Sequence, residues 1–506
     1  MPTRQPALLF FISDFQRVST DLNNFTEISD YIWFMPLVPN QVNNLYIDSC
    51  WLEVPAHGLN QEETVYVKIK NSSDEDYQNL PLRLFLNDSL KSMTNFSIGA
   101  QNEIVAQLRY KNLVAGIQYG RVEITDYPFT HDNSWYISYF VEARLKALAI
   151  FENSPESTEG LKYLSALFEN DDYVELESMN VQSMQISKLA ESNAIFLLNP
   201  SGFSSGLLNE LLSAVKNGSS VVLFPLNTGS PELYNQFLSS FGAGTVTGID
   251  TTTQEISGID FDNRFFANVF SERKENAIVP KINSHLKFSQ RIKSDESNLL
   301  WFQNGEKALS VLPFENGKVW VFSFPLNKEN ESFTNDILFV PSIYNIVLNS
   351  LPEQKLSLII GKEQSWLLPR TVNTNMESSL EMLNPETGNR FIPGIIISGR
   401  GTLIGFNGLI ESAGHYNVIQ NNETLASLAF NYDRKESDFR YFSAEELNQQ
   451  ISMNNLQNAS VIENIGSGFS EILEEIQKGK QLWKMCIALA LFFIFAEVLI
   501  ARLWKQ

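Results

Sequence analysis

One short constellation in the chain is spaced for covalent chemistry: Gly202-Phe203-Ser204-Ser205-Gly206, a match to G-x-S-x-G. In a hydrolase this spacing lets a strained strand-to-helix turn expose the serine, with small residues avoiding clashes around it. Ser204 is therefore the candidate nucleophile. Its base would come from His285 or His415, with an acid such as Asp262, and nothing in the spacing selects them. The local context favours a plainer role. Asn199-Pro200-Ser201 separate the preceding apolar run from the first glycine, whereas a nucleophile elbow follows its strand directly. Ser204 or Ser205 at the head of a leucine-rich helix is placed as an N-cap, and that is the preferred reading.

Other chemistry finds less support. The histidines, His57, His131, His285 and His415, are widely scattered, and neither H-E-x-x-H nor C-x-x-C occurs, so spacing marks no metal site. There is no P-loop, and Gly242-Ala243-Gly244 lacks the third glycine of a dinucleotide fingerprint and reads as a loop. Asp74-Glu75-Asp76 has consecutive rather than alternating carboxylates, unlike an EF-type calcium loop, and reads as a solvated turn. No cofactor is expected. Of the two cysteines, Cys486 lies in an apolar C-terminal run and Cys50 in a strand pattern beside Trp51, so the cores must hold without a disulfide.

At 506 residues the chain exceeds one hydrophobic core, and 43% hydrophobic with 12% aromatic residues suffices for several. Lys and Arg number 37 against 58 Asp and Glu, a net charge of −21 with no basic stripe, which excludes nucleic acid as a partner.

The elements that would position any site follow from periodicity. Residues 1–44 hold a strand, LLFFI, and a second apolar segment, Tyr31–Val38, as in the last part of an α/β domain. A chain that begins inside a strand is expected to continue a longer protein. Across 45–142, Val65, Val67 and Ile69 alternate with Tyr66, Lys68 and Lys70, and turn clusters recur, predicting an immunoglobulin-like β-sandwich of about seven strands. From 143 to 350 buried strands alternate with helices. Leu207, Leu208, Leu211, Leu212 and Val215 share one helical face that stops at Asn217-Gly218. That order predicts a doubly wound parallel sheet, broken by a polar, loop-rich insertion at roughly 242–290. Residues 351–440 read as a second β module, and 441–482 as an acidic helical stalk. The fold class is thus multidomain, α/β plus β.

The segment Trp483–Leu503 is long and apolar enough to cross a bilayer. Trp483 and Trp504 sit where amphipathic rings prefer the interface, Lys484 and Arg502 can snorkel outward, and Glu497 lies close enough to the C-terminal end to reach headgroups near Arg502. The lipid bilayer is the partner expected from these five residues.

The order of modules resembles the Bat aerotolerance-type membrane proteins. The segments that carry the likeness are LLFFISDFQ, LYIDSCWLEVP, EITDYPF, NGSSVVLFP, FNYDRKESD and the terminal helix. The resemblance implies that residues 1–44 are the remnant of a von Willebrand A-like domain, lacking the membrane hairpin and most of that domain. Asp14 then matches the late Asp of a metal-ion-dependent adhesion site, whose D-x-S-x-S and Thr loops have no counterpart here. It also implies that 143–350 is a degenerate glutamine-amidotransferase-like domain, without a nucleophilic Cys. The bulk of the chain would be periplasmic, with other von Willebrand A-like membrane proteins and an AAA-type ATPase as partners. The expected function is a non-enzymatic membrane-anchored scaffold. The alternatives are a serine hydrolase using Ser204 and an adhesin binding glycans through residues 45–142.

Overall fold

The computed structural model describes residues 8–22, 31–37, 43–52, 57–228, 231–261, 263, 265–266, 279–289, 295–351, 354–368, 379–398, 401–462 and 483–503. The chain forms two compact units, one made of residues 1–45, 71–75 and 434–506, the other of 46–70 and 76–433.

The first unit is built from both ends of the sequence. Strand Leu8–Ser13 pairs in parallel with Tyr31–Pro36, which pairs in parallel with Ala459–Val461. Ile32 and Phe34 of the middle strand are buried together with Phe15, Leu22, Leu447, Ile451 and Leu456. Helix Ala444–Met453 supplies the last helical pair, Leu447 and Ile451, which lie one turn apart on the same face. A capping box starts it, Ser443 Oγ accepting from the Glu446 amide while the Glu446 carboxylate accepts from the Ser443 amide. The expectation of a stalk over 441–482 is corrected for residues 444–461 alone. Residues 444–461 close the N-terminal α/β layer, because two apolar residues on a single helix face need a core to cover them. The acidic stretch beyond residue 462 lies outside the described residues.

The second unit opens with the seven strands expected between 45 and 142. Leu45–Leu52, Glu62–Asn71 and Glu103–Lys111 form one sheet, and Ser89–Ile98, Tyr77–Leu86, Gly116–Glu123 and Ser134–Val141 the other. Strict alternation along Glu62–Asn71 buries Val65, Val67 and Ile69 and leaves the intervening residues half-exposed. A polar cluster joins the two sheets. The Glu63 carboxylate accepts from Asn112 Nδ2 at 2.6 Å and from the Tyr110 hydroxyl at 3.2 Å, and lies 3.0 Å from His57 Nδ1. The hydroxyls of Tyr110 and Tyr139, one from each sheet, are 2.9 Å apart, and Tyr139 donates to Asn112 Oδ1. All five side chains are buried. Burial pushes both phenols up from their ordinary range, so they stay neutral donors.

Next comes a nine-stranded sheet. Val174–Asn180, Leu145–Phe151, Ala194–Leu198, Ser220–Phe224 and Gly317–Phe322 run parallel in that spatial order, and four strands extend the sheet with antiparallel pairings. Both faces are buried, and the period of two divides them. Ala149, Phe196, Phe224 and Phe322 face a core shared with helices Pro155–Phe168 and Phe339–Leu348. Their neighbours Ile150, Leu197, Leu223 and Val321 face a second core with helices Ser205–Lys216 and Pro231–Ser240. That arrangement explains why these strands read as unbroken apolar runs. Gly218, at φ 109°, ends the Ser205–Lys216 helix as its Asn-Gly signal predicts. The region expected as a loop-rich insertion carries strands Val246–Asp250, Gln254–Ile259, Lys281–Ile282 and His285–Phe288. These strands are short and polar, so they leave little periodic trace in the sequence.

The last module packs Leu358, Met382, Ile404, Phe406, Tyr416, Val418 and Phe430 between a five-stranded and a three-stranded sheet. It covers the open edge of the Ser134–Val141 strand. The Asn431 side-chain amide exchanges both its hydrogen bonds with the Tyr136 backbone, and Gln354 does the same with Phe140. Between them the Ser138 amide donates to the Leu356 carbonyl at 2.8 Å. An edge strand left bare is a template for unwanted pairing, and here its outward groups are occupied in turn.

Candidate functional site

Ser204 stands at the N-cap of helix Ser205–Lys216, with extended backbone, and its Oγ accepts from the Leu207 amide at 3.1 Å. The hydroxyl is thus engaged in the role that the sequence context favoured. Neither proposed base is turned to it by a hydrogen bond. His415 Nε2 lies 3.0 Å from the Gly120 carbonyl and 3.2 Å from that of Ile137, and burial lowers its pKa. His285 is paired with Glu306, and Asp262 lies outside the described residues. Ser204→Ala should cost about 1 kcal/mol of helix stability through loss of the cap. Hydrogen exchange in peptides from helix Ser205–Lys216 checks that figure.

Asp14 directly follows strand Leu8–Ser13, is exposed, and accepts from Ser13 Oγ at 3.2 Å. It belongs to no metal-ligating group among the described residues.

The fold does assemble one group that spacing conceals: Asp250, His285 and Glu306, whose ligand-type atoms all lie within 4.8 Å of one another. Asp250 and His285 are opposite each other in the antiparallel pair Val246–Asp250 and His285–Phe288, so their side chains share a face. Glu306 follows Gly305, at φ 83°, in the turn between strands Ser297–Phe302 and Lys307–Phe314. His285 Nε2 is 2.5 Å from Glu306 Oε2, and the fully buried ring packs on Phe302 with centroids 4.3 Å apart. Among the described residues its Nδ1 has no hydrogen-bond partner. Asp250 Oδ1 accepts from the Thr252 amide at 2.9 Å and its hydroxyl at 2.7 Å, and Oδ2 is 3.1 Å from Lys287 Nζ. The Thr252 hydroxyl and amide, with the Lys287 ammonium, hold the Asp250 carboxyl well below the usual carboxylate range. From spacing alone His285 is only a possible partner for Ser204. Its neighbours Asp250 and Glu306 come from a separate strand and a separate turn, and no local motif could have joined them.

At the C-terminus, helix Trp483–Leu503 is long and apolar enough to cross a membrane. Its Trp483–Ile500 stretch has mean hydropathy 2.2 and none of it is buried within the chain. Trp483 is exposed, with the Lys484 ammonium 5.7 Å from its ring centroid. Glu497 and Arg502 are exposed on the same helix, and Trp504 lies outside the described residues.

No family model matches the chain, and no curated protein matches it. Solved structures resemble parts of it. The CARDB domain of the PF1109 protein from Pyrococcus furiosus, in complex with di-metal ions, is 14% identical over 21% of this chain and 100% of its own, at TM-score 0.20. A ThuA-like protein from Bacteroides uniformis is 13% identical over 41% of this chain and 94% of its own, at TM-score 0.32. The cytoplasmic protein STM1381 from Salmonella typhimurium is 12% identical over 47% and 97%, at TM-score 0.30.

Proposed function

We propose that this chain is a non-enzymatic, membrane-anchored scaffold, a protein-interaction subunit of a Bat-type membrane complex. The observation that carries the reading is the terminal helix. Eighteen residues of mean hydropathy 2.2 with no burial inside the chain need an apolar solvent, and a bilayer supplies one. The modules before it support a binding role. The sandwich is immunoglobulin-like, and the doubly wound sheet is glutamine-amidotransferase-like in kind. The two cysteines, Cys50 and Cys486, both fall outside 143–350, so that sheet has no thiol nucleophile of its own. In this reading the bulk of the chain is periplasmic, and its partners are other von Willebrand A-like membrane proteins and an AAA-type ATPase.

Three measurements test it. Deleting residues 483–506 should move the chain from the carbonate-washed membrane pellet to the soluble fraction, and retention in the pellet would remove the anchor. A detergent-solubilised pull-down read by mass spectrometry should recover A-domain membrane proteins or an ATPase. Labelling of Ser204 by a fluorophosphonate, lost in Ser204→Ala, would instead favour a hydrolase.

A further inference from the structure

We propose that Asp250, His285 and Glu306 form a binding site for a divalent first-row transition cation, of the Zn²⁺ or Mn²⁺ class. This goes beyond the scaffold reading and does not depend on it.

The first argument is convergence. One imidazole and two carboxylates, from two paired strands and a neighbouring hairpin turn, bring their ligand-type atoms within 4.8 Å of one another. Small side-chain adjustments would bring such a set to the roughly 2.0–2.2 Å bonds that these metals make with nitrogen and oxygen.

The second is the state of His285. Its side chain is completely buried, and among the described residues Nδ1 has no hydrogen-bond partner. Buried polar atoms are as a rule satisfied, and an imidazole has one nitrogen that donates and one that accepts when neutral. A ring with an idle nitrogen, held against a carboxylate, is an incomplete hydrogen-bonding unit. A cation at Nε2 would take the place of the ring's contact with Glu306 and share that carboxylate with it.

Third, the carboxylates are already oriented. Thr252 fixes Asp250 Oδ1 through two hydrogen bonds, and Asn304 Nδ2 donates to Glu306 Oε2 at 3.1 Å. Such supporting bonds are what hold metal-ligating carboxylates in place. The Lys287 ammonium occupies the position of the neutralising charge beside Asp250 Oδ2. Lys287 is 41% exposed, so it can swing into solvent when a cation enters. A mixed nitrogen and oxygen donor set suits Zn²⁺, Mn²⁺ or Co²⁺ and disfavours Ca²⁺, which takes oxygen alone. Bound there, the cation would clip the Val246–Asp250 and His285–Phe288 ribbon to the turn at Gly305.

The test uses Co²⁺ as a spectroscopic probe on the full chain in detergent, with Zn²⁺ as competitor. The expected result is a visible absorption band at stoichiometric Co²⁺ that Zn²⁺ displaces. Glu306→Gln, at a partly exposed position that should leave the fold intact, should weaken binding by at least about tenfold. Lys287→Met should tighten it by removing the competing charge. Equal affinity in the native chain and Glu306→Gln, or no Co²⁺ band in either the native chain or Lys287→Met, overturns the proposal.

Discussion

Replacing Glu63 with alanine should lower the opening free energy of the sandwich strands by about 3–5 kcal/mol. The carboxylate is buried and is the shared acceptor for Tyr110 and Asn112, with His57 against it. Its removal leaves three buried polar side chains without their partner and a cavity where the strands meet. Each orphaned group costs about 1–3 kcal/mol, and the losses are coupled because Tyr110, Tyr139 and Asn112 also bond one another. Hydrogen exchange read by mass spectrometry resolves single modules of a multidomain chain, where a global melting point would not. Protection should fall in peptides from Glu62–Asn71, Glu103–Lys111 and Ser134–Val141 and hold in the nine-stranded sheet. Unchanged protection in those three strands would mean that the cluster is not holding the sheets together.

Lys307→Met should cost a similar amount in the nine-stranded sheet, about 3–5 kcal/mol near neutral pH. Lys307 and Glu296 form an ion pair at 11% side-chain exposure each, and the ammonium lies 3.9 Å from the Phe288 ring centroid. Burial alone would raise the Glu296 carboxyl, but Lys307, the Ser310 hydroxyl and the Gly244 amide outweigh it and hold it below the ordinary carboxylate range. A carboxyl lowered in the folded state contributes stability that is complete above its unfolded value, about 4.3, and is lost as pH falls through the folded one. In Lys307→Met the opposing charge is gone, so burial dominates and the carboxyl rises. Its contribution is then present in acid and lost as pH increases. The gap between the native chain and the variant should therefore be widest at neutral pH and shrink toward pH 4. Exchange in Ser297–Phe302 and Lys307–Phe314 at pH 7 and pH 4.5 reads both points, and a gap that widens in acid would contradict the assignment.

The strands of the doubly wound sheet were legible because parallel strands covered on both faces are near-continuous apolar runs, as AIFLL is and as SVVLF is after Ser220. Alternation at Val65, Val67 and Ile69 announced the sandwich for the opposite reason, one face buried and one partly open. Ser204 was legible as a cap because capping is local, a hydroxyl and an amide three residues apart. The terminal helix was legible because length and hydropathy alone decide whether a segment can cross a bilayer.

Two features were decided only in three dimensions. Helix Ala444–Met453 and strand Ala459–Val461 complete a sheet begun at Leu8, and pairing over such a separation leaves no local periodicity to read. Asp250, His285 and Glu306 meet because an antiparallel register sets the first two opposite each other and a glycine turn delivers the third. Local order follows from side-chain patterning along the chain. Chemical neighbourhood follows from strand register, and register is settled by burial across the whole sheet.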